Sequence, residues 1–173
     1  MSGFSERRNQ DLIKLNELVK STNGKVQILS KSGNPVSTIV IELNYPTVVN
    51  SNYPTDICNK TKITISLSSK YPFTEPSVSF DKPIVFHPNV YDSGRICFGT
   101  KWLPTQGLDL LIKRVIKIIT FEPDILNEAS PANVKALNWY RSIIKIFPNK
   151  FPTTKLQSSN ETNKPSMSWN NLK

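Results

Sequence analysis

Two residues of this chain could carry out chemistry together: Cys97, a thiol nucleophile, and Asn89, an amide donor upstream of it. Pro88 fixes its own φ and biases His87 toward an extended conformation, which predicts a rigid turn from His87 to Asn89. Gly94 can adopt a positive φ, which predicts a second turn before Cys97. These turns would hold the amide and the thiol on one surface, and a nucleophile beside a fixed hydrogen-bond donor is what acyl transfer needs.

This segment resembles the active-site segment of ubiquitin-conjugating enzymes, whose signature is His-Pro-Asn followed by Gly-x-Ile-Cys. Three further motifs follow the family's order within roughly residues 5–147: Tyr71-Pro72-Phe73-x-x-Pro76, Trp102-x-Pro104 and Ser130-Pro131-Ala132-Asn133. Enzymes of this family accept the C-terminal acyl group of ubiquitin or a ubiquitin-like protein from an activating enzyme and pass it to an amine, usually a lysine. The resemblance therefore implies acyl transfer through a thioester on Cys97.

The resemblance also implies a role for each site residue. Asn89 donates its amide to the oxyanion or braces the loop that holds the site, and Ser130 orients the incoming lysine while capping a helix. The residues expected to keep the site in shape are His87, Pro88 and Trp102. The residues expected to contact protein partners are Arg7, Arg8, Lys14, Phe73, Leu103 and Pro104. For the three basic residues the implied partner is an acidic docking domain of the activating enzyme.

Two alternatives remain open. A non-catalytic ubiquitin-binding module of the same fold would normally lack the cysteine. A Cys-His hydrolase would need the imidazole of His87, the single histidine, within hydrogen-bond reach of the thiol. The second cysteine, Cys58, has no turn-held donor beside it and is expected to pack.

The segment after the cysteine departs from the family pattern. Only the residues from Phe98 to Lys101 separate Cys97 from Trp102, a few fewer than in most eukaryotic members, and Phe-Gly replaces the common Leu-Asp. This shortened form resembles conjugating-enzyme-like proteins of bacterial systems or divergent eukaryotic members. The motifs thus leave the modifier open, together with the target proteins and the ligase.

The composition of the chain limits its domain count, its location and its partners. The chain has 173 residues, two cysteines, one histidine and a formal charge of +9. This predicts one domain, no disulfide framework, no metal site and a cytoplasmic protein. The most apolar run, residues 108–121, is too short and too charged to cross a membrane. The charge fits either a solvated basic surface or an acidic protein partner, and no nucleic-acid motif is present. We expect a monomer without a cofactor, with ATP used only by the upstream activating enzyme.

The helices and strands that must position these residues can be predicted from the hydrophobic pattern, which indicates an α+β fold. Ser5 caps a helix to about Lys20, whose buried face carries Leu12, Leu15, Leu18 and Val19, with Arg7, Arg8 and Lys14 largely off that face. Four alternating runs then predict an antiparallel meander with one buried face. These runs are Val26–Leu29, Thr38–Leu43, Ile63–Leu67 and Val78–Phe80.

Two helices follow the irregular site. The first runs from Leu108 to Thr120, and the second starts at Ser130-Pro131, buries Val134, Leu137, Tyr140 and Ile144, and stops at Pro148. We expect a catalytic domain over residues 1–151 and a flexible tail over residues 152–173, which are rich in Thr, Ser, Asn and Lys.

Overall fold

The computed structural model describes residues 3–156, with backbone only for residues 3–5. Helix α1 spans Gly3–Ser21, and the strands are β1 (Val26–Ser32), β2 (Thr38–Leu43), β3 (Thr61–Ser66) and β4 (Ser77–Phe80). Helices α2 (Leu108–Ile119) and α3 (Val134–Ile146) follow, with 3₁₀ turns at Pro123–Ile125 and Pro148–Lys150. The strands pair antiparallel in the order β1-β2-β3-β4. The predicted α+β fold with a four-stranded meander is confirmed.

The core lies between one face of the sheet and helices α1 and α2. Alternation along the strands supplies the sheet side, where Ile41 of β2 pairs with Ile63 of β3 and both are fully buried. The apolar stripe of α2 supplies the other side. Its buried residues are Leu108, Leu111, Ile112, Val115, Ile116, Ile118 and Ile119. Leu15 and Leu18 of α1 complete this layer.

Helix α1 differs from its prediction in one side chain. Arg8 is only 5% exposed, although the sequence placed it largely off the buried face. It precedes Leu12 and Leu15 by four and seven positions, so it shares their side of the helix. Its guanidinium donates to the carbonyls of Val36 (3.1 Å) and Ser68 (2.5 Å), which compensates part of its burial, while its Nε has no partner among the described residues.

Helix α3 begins later than the Ser130-Pro131 signal predicted. Its N-cap is Asn133, whose side-chain oxygen accepts from the Ala136 amide at 3.0 Å. The predicted cap Ser130 lies outside the helix in an exposed turn. The prediction that Val134 is buried is wrong, since its side chain at the first helical position is 60% exposed. The buried positions are Ala136, Leu137 and Tyr140.

The described chain continues past the predicted domain end at residue 151. Phe151 is buried in an aromatic cluster with Phe121 and Tyr140. The amide of Thr153 donates to the Thr120 carbonyl (2.9 Å), and its hydroxyl donates to the Pro46 carbonyl (2.6 Å). Residues 152–156 therefore pack on the domain. The rest of the predicted tail, residues 157–173, lies outside the described residues.

Candidate active site

Cys97 lies on an irregular segment that the sheet and two turns hold in place. The Ile96 amide donates to Val78 of β4 (3.0 Å), and the Cys97 amide donates to the Asn89 carbonyl (2.8 Å). Gly94 in the turn before Cys97 has a φ of 87°. A residue with a side chain would clash there, because its Cβ would lie 2.5 Å from the Phe80 carbonyl oxygen. The thiol-bearing residue itself is half-buried.

The turn before it is built from a buried histidine. His87 is fully buried, and its Nδ1 accepts from the Asn89 amide at 2.9 Å. Burial lowers the pKa of His87 to about 3, so the imidazole is neutral near pH 7. Its Nε2 finds no partner among the described residues, and its ring lies 4.4 Å from the ring of Phe121. The geometry of His87 is that of a turn-forming residue.

The Asn89 side chain is fully buried and uses its amide group to join three backbone segments. Its Nδ2 donates to the carbonyls of Cys97 (3.2 Å) and Ile125 (3.0 Å). Its Oδ1 accepts from the Asn127 amide at 3.0 Å. Of the two roles expected for Asn89, this arrangement matches bracing, since both N–H groups already have acceptors. Donation to an oxyanion would require one of these bonds to yield.

Helix α3 is fastened to the same turn. The carbonyl of Pro88, a buried residue, accepts from the Asn133 amide at 3.0 Å. The side-chain nitrogen of Asn133 donates to Asp92 (3.0 Å), while its oxygen caps the helix. The helix start and the His87–Asn89 turn are thus fixed to each other.

The expected lysine-orienting residue, Ser130, is exposed in a turn closed by Asn127. The Asn127 side chain donates to the Ser130 carbonyl (2.6 Å) and accepts from the Ser130 amide (3.2 Å). A Cβ built on Gly99 would lie 3.4 Å from the Asn127 side-chain nitrogen. The turn that carries Ser130 therefore lies beside the segment after Cys97. Sequence reasoning missed Asn127, because its contacts with Asn89 and Gly99 come from distant parts of the chain.

Trp102 is buried, as expected for a structural residue of the site. Its indole nitrogen donates to the Pro72 carbonyl at 2.6 Å, which joins the segment after the cysteine to the one before β4. The residues next to this bond project outward: Phe73 is 71% exposed and Leu103 is 52% exposed. Pro104, the third predicted partner contact in these loops, is half-buried.

The three basic residues predicted to dock the activating enzyme differ in their exposure. Lys14 is exposed, whereas Arg8 is buried and lies off any surface that a partner could contact. Arg7 is half-buried, forms an ion pair with the buried Asp11 (2.7 Å) and donates to the Gln106 carbonyl (2.7 Å). Asp11 also accepts from the hydroxyl of Tyr71. Part of the predicted basic surface is therefore used inside the domain.

Sequence reasoning also missed Arg114 of α2. This half-buried arginine donates to the Phe98 carbonyl at 2.9 Å and to the Thr100 hydroxyl at 2.6 Å. Its guanidinium carbon lies 5.1 Å from the centre of the Phe98 ring. The helical pattern alone marks Arg114 only as a charged residue beside an apolar stripe.

Comparison with known proteins gives the family. A family model described as "Ubiquitin-conjugating enzyme" matches residues 58–153, more than half of the chain and including Cys97 and Asn89. The chain belongs to the ubiquitin-conjugating enzyme family.

Relatives within this family match over part of their length. A ubiquitin-conjugating enzyme E2 of African swine fever virus is 32% identical over 94 residues, which are 48% of this chain and 41% of that protein. Ubiquitin-conjugating enzyme E2 2 of Candida albicans is 31% identical over 103 residues, 58% of this chain and 55% of that protein. The chain thus spans about half the length of the curated relatives it matches.

A solved structure supports the fold. A putative ubiquitin-conjugating enzyme from Trypanosoma cruzi has a TM-score of 0.61 and is 22% identical, covering 88% of this chain and 96% of its own.

Two further observations concern metal binding and membrane insertion. Residues 3–156 contain no cluster of three or more His, Cys, Asp or Glu side chains suited to a metal ion. No helix in the same range is both long and apolar enough to cross a membrane.

Proposed function

We propose that this chain transfers ubiquitin or a ubiquitin-like protein from an activating enzyme to lysine through a thioester on Cys97. One observation carries the proposal: in a chain of this family, a half-buried thiol lies on a segment that Asn89 holds by its backbone and its side chain. Cys58, the other thiol, lies at an isolated bridge to Thr47, and its Sγ donates to the Lys60 carbonyl at 3.2 Å.

In the first step, the Cys97 thiolate attacks the carbonyl carbon of the thioester carried by the activating enzyme. A new carbon–sulfur bond forms, the old one breaks, and the thiol of the activating enzyme leaves. Thiol suits this exchange because its thiolate is a good nucleophile and also a good leaving group. The enzyme needs no cofactor of its own, because ATP is consumed upstream by the activating enzyme.

In the second step, a lysine amine attacks the same carbonyl carbon. The carbon–nitrogen bond of the amide forms, the bond to the Cys97 sulfur breaks, and the amine releases a proton as the thiol is regenerated. Asn89 braces the segment that carries the thiol, and one of its N–H groups would serve the oxyanion if the bond to Cys97 or Ile125 yields. Ser130, exposed on the adjacent turn, would orient the incoming amine.

The partners follow from the exposed surfaces. The exposed Lys14 and a formal charge of +9 suit an acidic domain of the activating enzyme. The outward-facing Phe73 and Leu103, beside Pro104, would give a ligase an apolar surface. We expect the enzyme to act as a monomer in the cytoplasm.

The geometry of His87 disfavours the alternative that this chain is a Cys-His hydrolase. A general base needs a nitrogen free to take the thiol proton and a pKa near the working pH. The Nδ1 of His87 accepts from the Asn89 amide, and burial lowers its pKa to about 3. Because Nδ1 is the acceptor, the neutral ring carries its proton on Nε2, so neither nitrogen is free to take the thiol proton and the pKa lies far below neutral pH. The non-catalytic binding module is disfavoured by the supported thiol itself.

The test is a loading assay with activating enzyme, ATP and candidate modifiers, run on gels with and without reductant. A reductant-sensitive adduct is expected for wild type, and Cys97→Ser should give a reductant-resistant oxyester because an alkoxide leaves poorly. Cys58→Ser is the matched control and should load like wild type. A reductant-sensitive adduct that persists in Cys97→Ser and is lost in Cys58→Ser would show that Cys58, and not Cys97, carries the thioester.

A further inference from the structure

The segment after Cys97 has little regular structure to hold it. Residues 98–101 form neither strand nor helix, and Gly99 adopts a positive φ of 69°. Something outside the segment must therefore fix its path from Cys97 to Trp102.

Two consecutive carbonyls show where that support comes from. The Cys97 carbonyl accepts from the Asn89 side chain at 3.2 Å. The next carbonyl, that of Phe98, accepts from Nη2 of Arg114 at 2.9 Å, and the same nitrogen donates to the Thr100 hydroxyl at 2.6 Å. Side chains from two other elements thus hold both peptide groups that follow the nucleophile.

Arg114 is itself well placed to act as a fixed point. Its neighbours on α2, Val115 and Ile116, are buried, so the helix backbone below the guanidinium is anchored in the core. The guanidinium stacks over the buried ring of Phe98, which limits its orientation. Burial lowers the pKa of Arg114 and the charge of Glu75 partly offsets this effect, yet an arginine remains protonated at neutral pH. Its hydrogen bonds to the segment are therefore charge-assisted.

From this geometry we infer that Arg114 is a positioning residue for acyl transfer, holding the Phe98–Thr100 segment so that the Cys97 thiol keeps its reactive orientation. The inference rests on the proposed function, because it assigns Arg114 to the same site. A displacement of about 1 Å at a reacting group lowers rates by up to about 100-fold, so loss of this support should be visible in catalysis.

The first experiment measures discharge of a pre-formed thioester to free lysine. Arg114→Ala should discharge about tenfold more slowly at saturating lysine, with the KM for lysine nearly unchanged, because the defect lies in orientation and not in amine binding. Arg114→Lys should recover less than half of the loss, since lysine restores the charge but is shorter and lacks the planar face that stacks on Phe98. Added methylguanidinium should accelerate discharge by Arg114→Ala severalfold. Lys113→Ala removes the same charge from the adjacent exposed position and is expected within twofold of wild type.

The second experiment needs no thioester. Hydrogen exchange of the Cys97 amide, followed by NMR on the full chain, should be at least tenfold faster in Arg114→Ala than in Lys113→Ala, with the amides of β2 and β3 unchanged. A wild-type chain that forms no thioester would overturn the proposed function, while this measurement would still decide the role of Arg114.

Discharge by Arg114→Ala within twofold of Lys113→Ala, or unchanged Cys97 exchange, would overturn the inference. If Arg114→Ala does not fold, Thr100→Val replaces it, because that change removes one acceptor and leaves the arginine in place. About threefold slower discharge is expected for Thr100→Val, and a wild-type rate would contradict the positioning role.

Discussion

The four-stranded sheet and the segment from His87 to Phe98 both contribute fully buried side chains, yet different interactions hold them. In the sheet, β2 and β3 pair residue by residue through their backbones, and Ile41 and Ile63 fill the space beneath. The active-site segment has backbone bonds at turns and at isolated bridges, such as that between Val90 and Ile96, but no continuous ladder. Buried polar side chains, above all Asn89 and His87, provide much of its support.

This difference has consequences for substitution. An aliphatic core loses free energy when atoms are removed, but its backbone ladder keeps the strands in register. A network of buried hydrogen bonds depends on each member, because the partners of a deleted group are left unsatisfied. We therefore expect stability and catalysis to respond separately in the sheet and together in the segment.

The largest effect is expected for Asn89→Ala. Its removal leaves the Asn127 amide and the carbonyls of Cys97 and Ile125 without their partner, which should lower the free energy of unfolding by about 4 kcal/mol. Discharge of the pre-formed thioester to lysine should slow by about 100-fold, whereas loading should be less affected. Urea denaturation and single-turnover discharge measure the two effects. If folded Asn89→Ala discharges the thioester at a rate within a few-fold of wild type, Asn89 acts only as a turn residue.

Ile63→Ala is the matching change in the sheet. It removes a fully buried side chain and should cost about 3 kcal/mol of stability through lost burial and the cavity left behind. Discharge per folded molecule, measured well below the unfolding temperature, should stay within twofold of wild type. A tenfold loss of catalysis here would mean that the two regions are coupled, and the contrast drawn above would fail.

The same contrast explains what the sequence could predict. Alternation in residues such as Ile39 and Ile41 predicted strands correctly, because period-two burial follows from local geometry. The site motif likewise predicted the turn at His87–Asn89, since proline acts on its own residue and the one before it. Local rules therefore predicted the strands and this turn, whereas the roles of the site residues came from the resemblance to the family.

Most of the failures depend on long-range contacts. Arg8 is buried because Val36 and Ser68 supply carbonyls from distant loops. Asn133 caps α3 instead of Ser130, since Asn127 closes a separate turn there and the Pro88 carbonyl binds the Asn133 amide. Arg114 acquires its role only when α2 packs beside the segment after Cys97. Spacing does place Arg8 on the buried side of α1 and Asn127 three residues before Ser130. It does not reveal the carbonyls that Arg8 and Arg114 bind.

An effect on pH dependence is expected from His87, the single histidine. Its pKa falls from 6.5 to about 3 on burial, so the unfolded chain binds the proton more tightly. The contribution of neutral His87 to the free energy of unfolding is therefore fully present above about pH 6.5. It decreases as the pH falls toward 3, by about 1.4 kcal/mol per pH unit. Between pH 6.5 and 5 the expected loss is about 2 kcal/mol. Urea denaturation of His87→Asn, which retains an acceptor for the Asn89 amide, should lack this part of the slope; equal slopes in both proteins would contradict it.

The smallest effect separates the two candidate caps of α3. Asn133→Ala removes the side-chain oxygen that accepts from Ala136 and the bond to Asp92, and should lower the free energy of unfolding by about 1 kcal/mol. Ser130→Ala should change it by less than about 0.5 kcal/mol, because its contacts to Asn127 use backbone atoms that alanine retains. If Ser130 orients the incoming lysine, the same variant should still raise the KM for lysine in discharge assays. The reverse order of stabilities would place the cap at Ser130, as the sequence alone suggested, and would mean that the turn at Asn127 opens in solution.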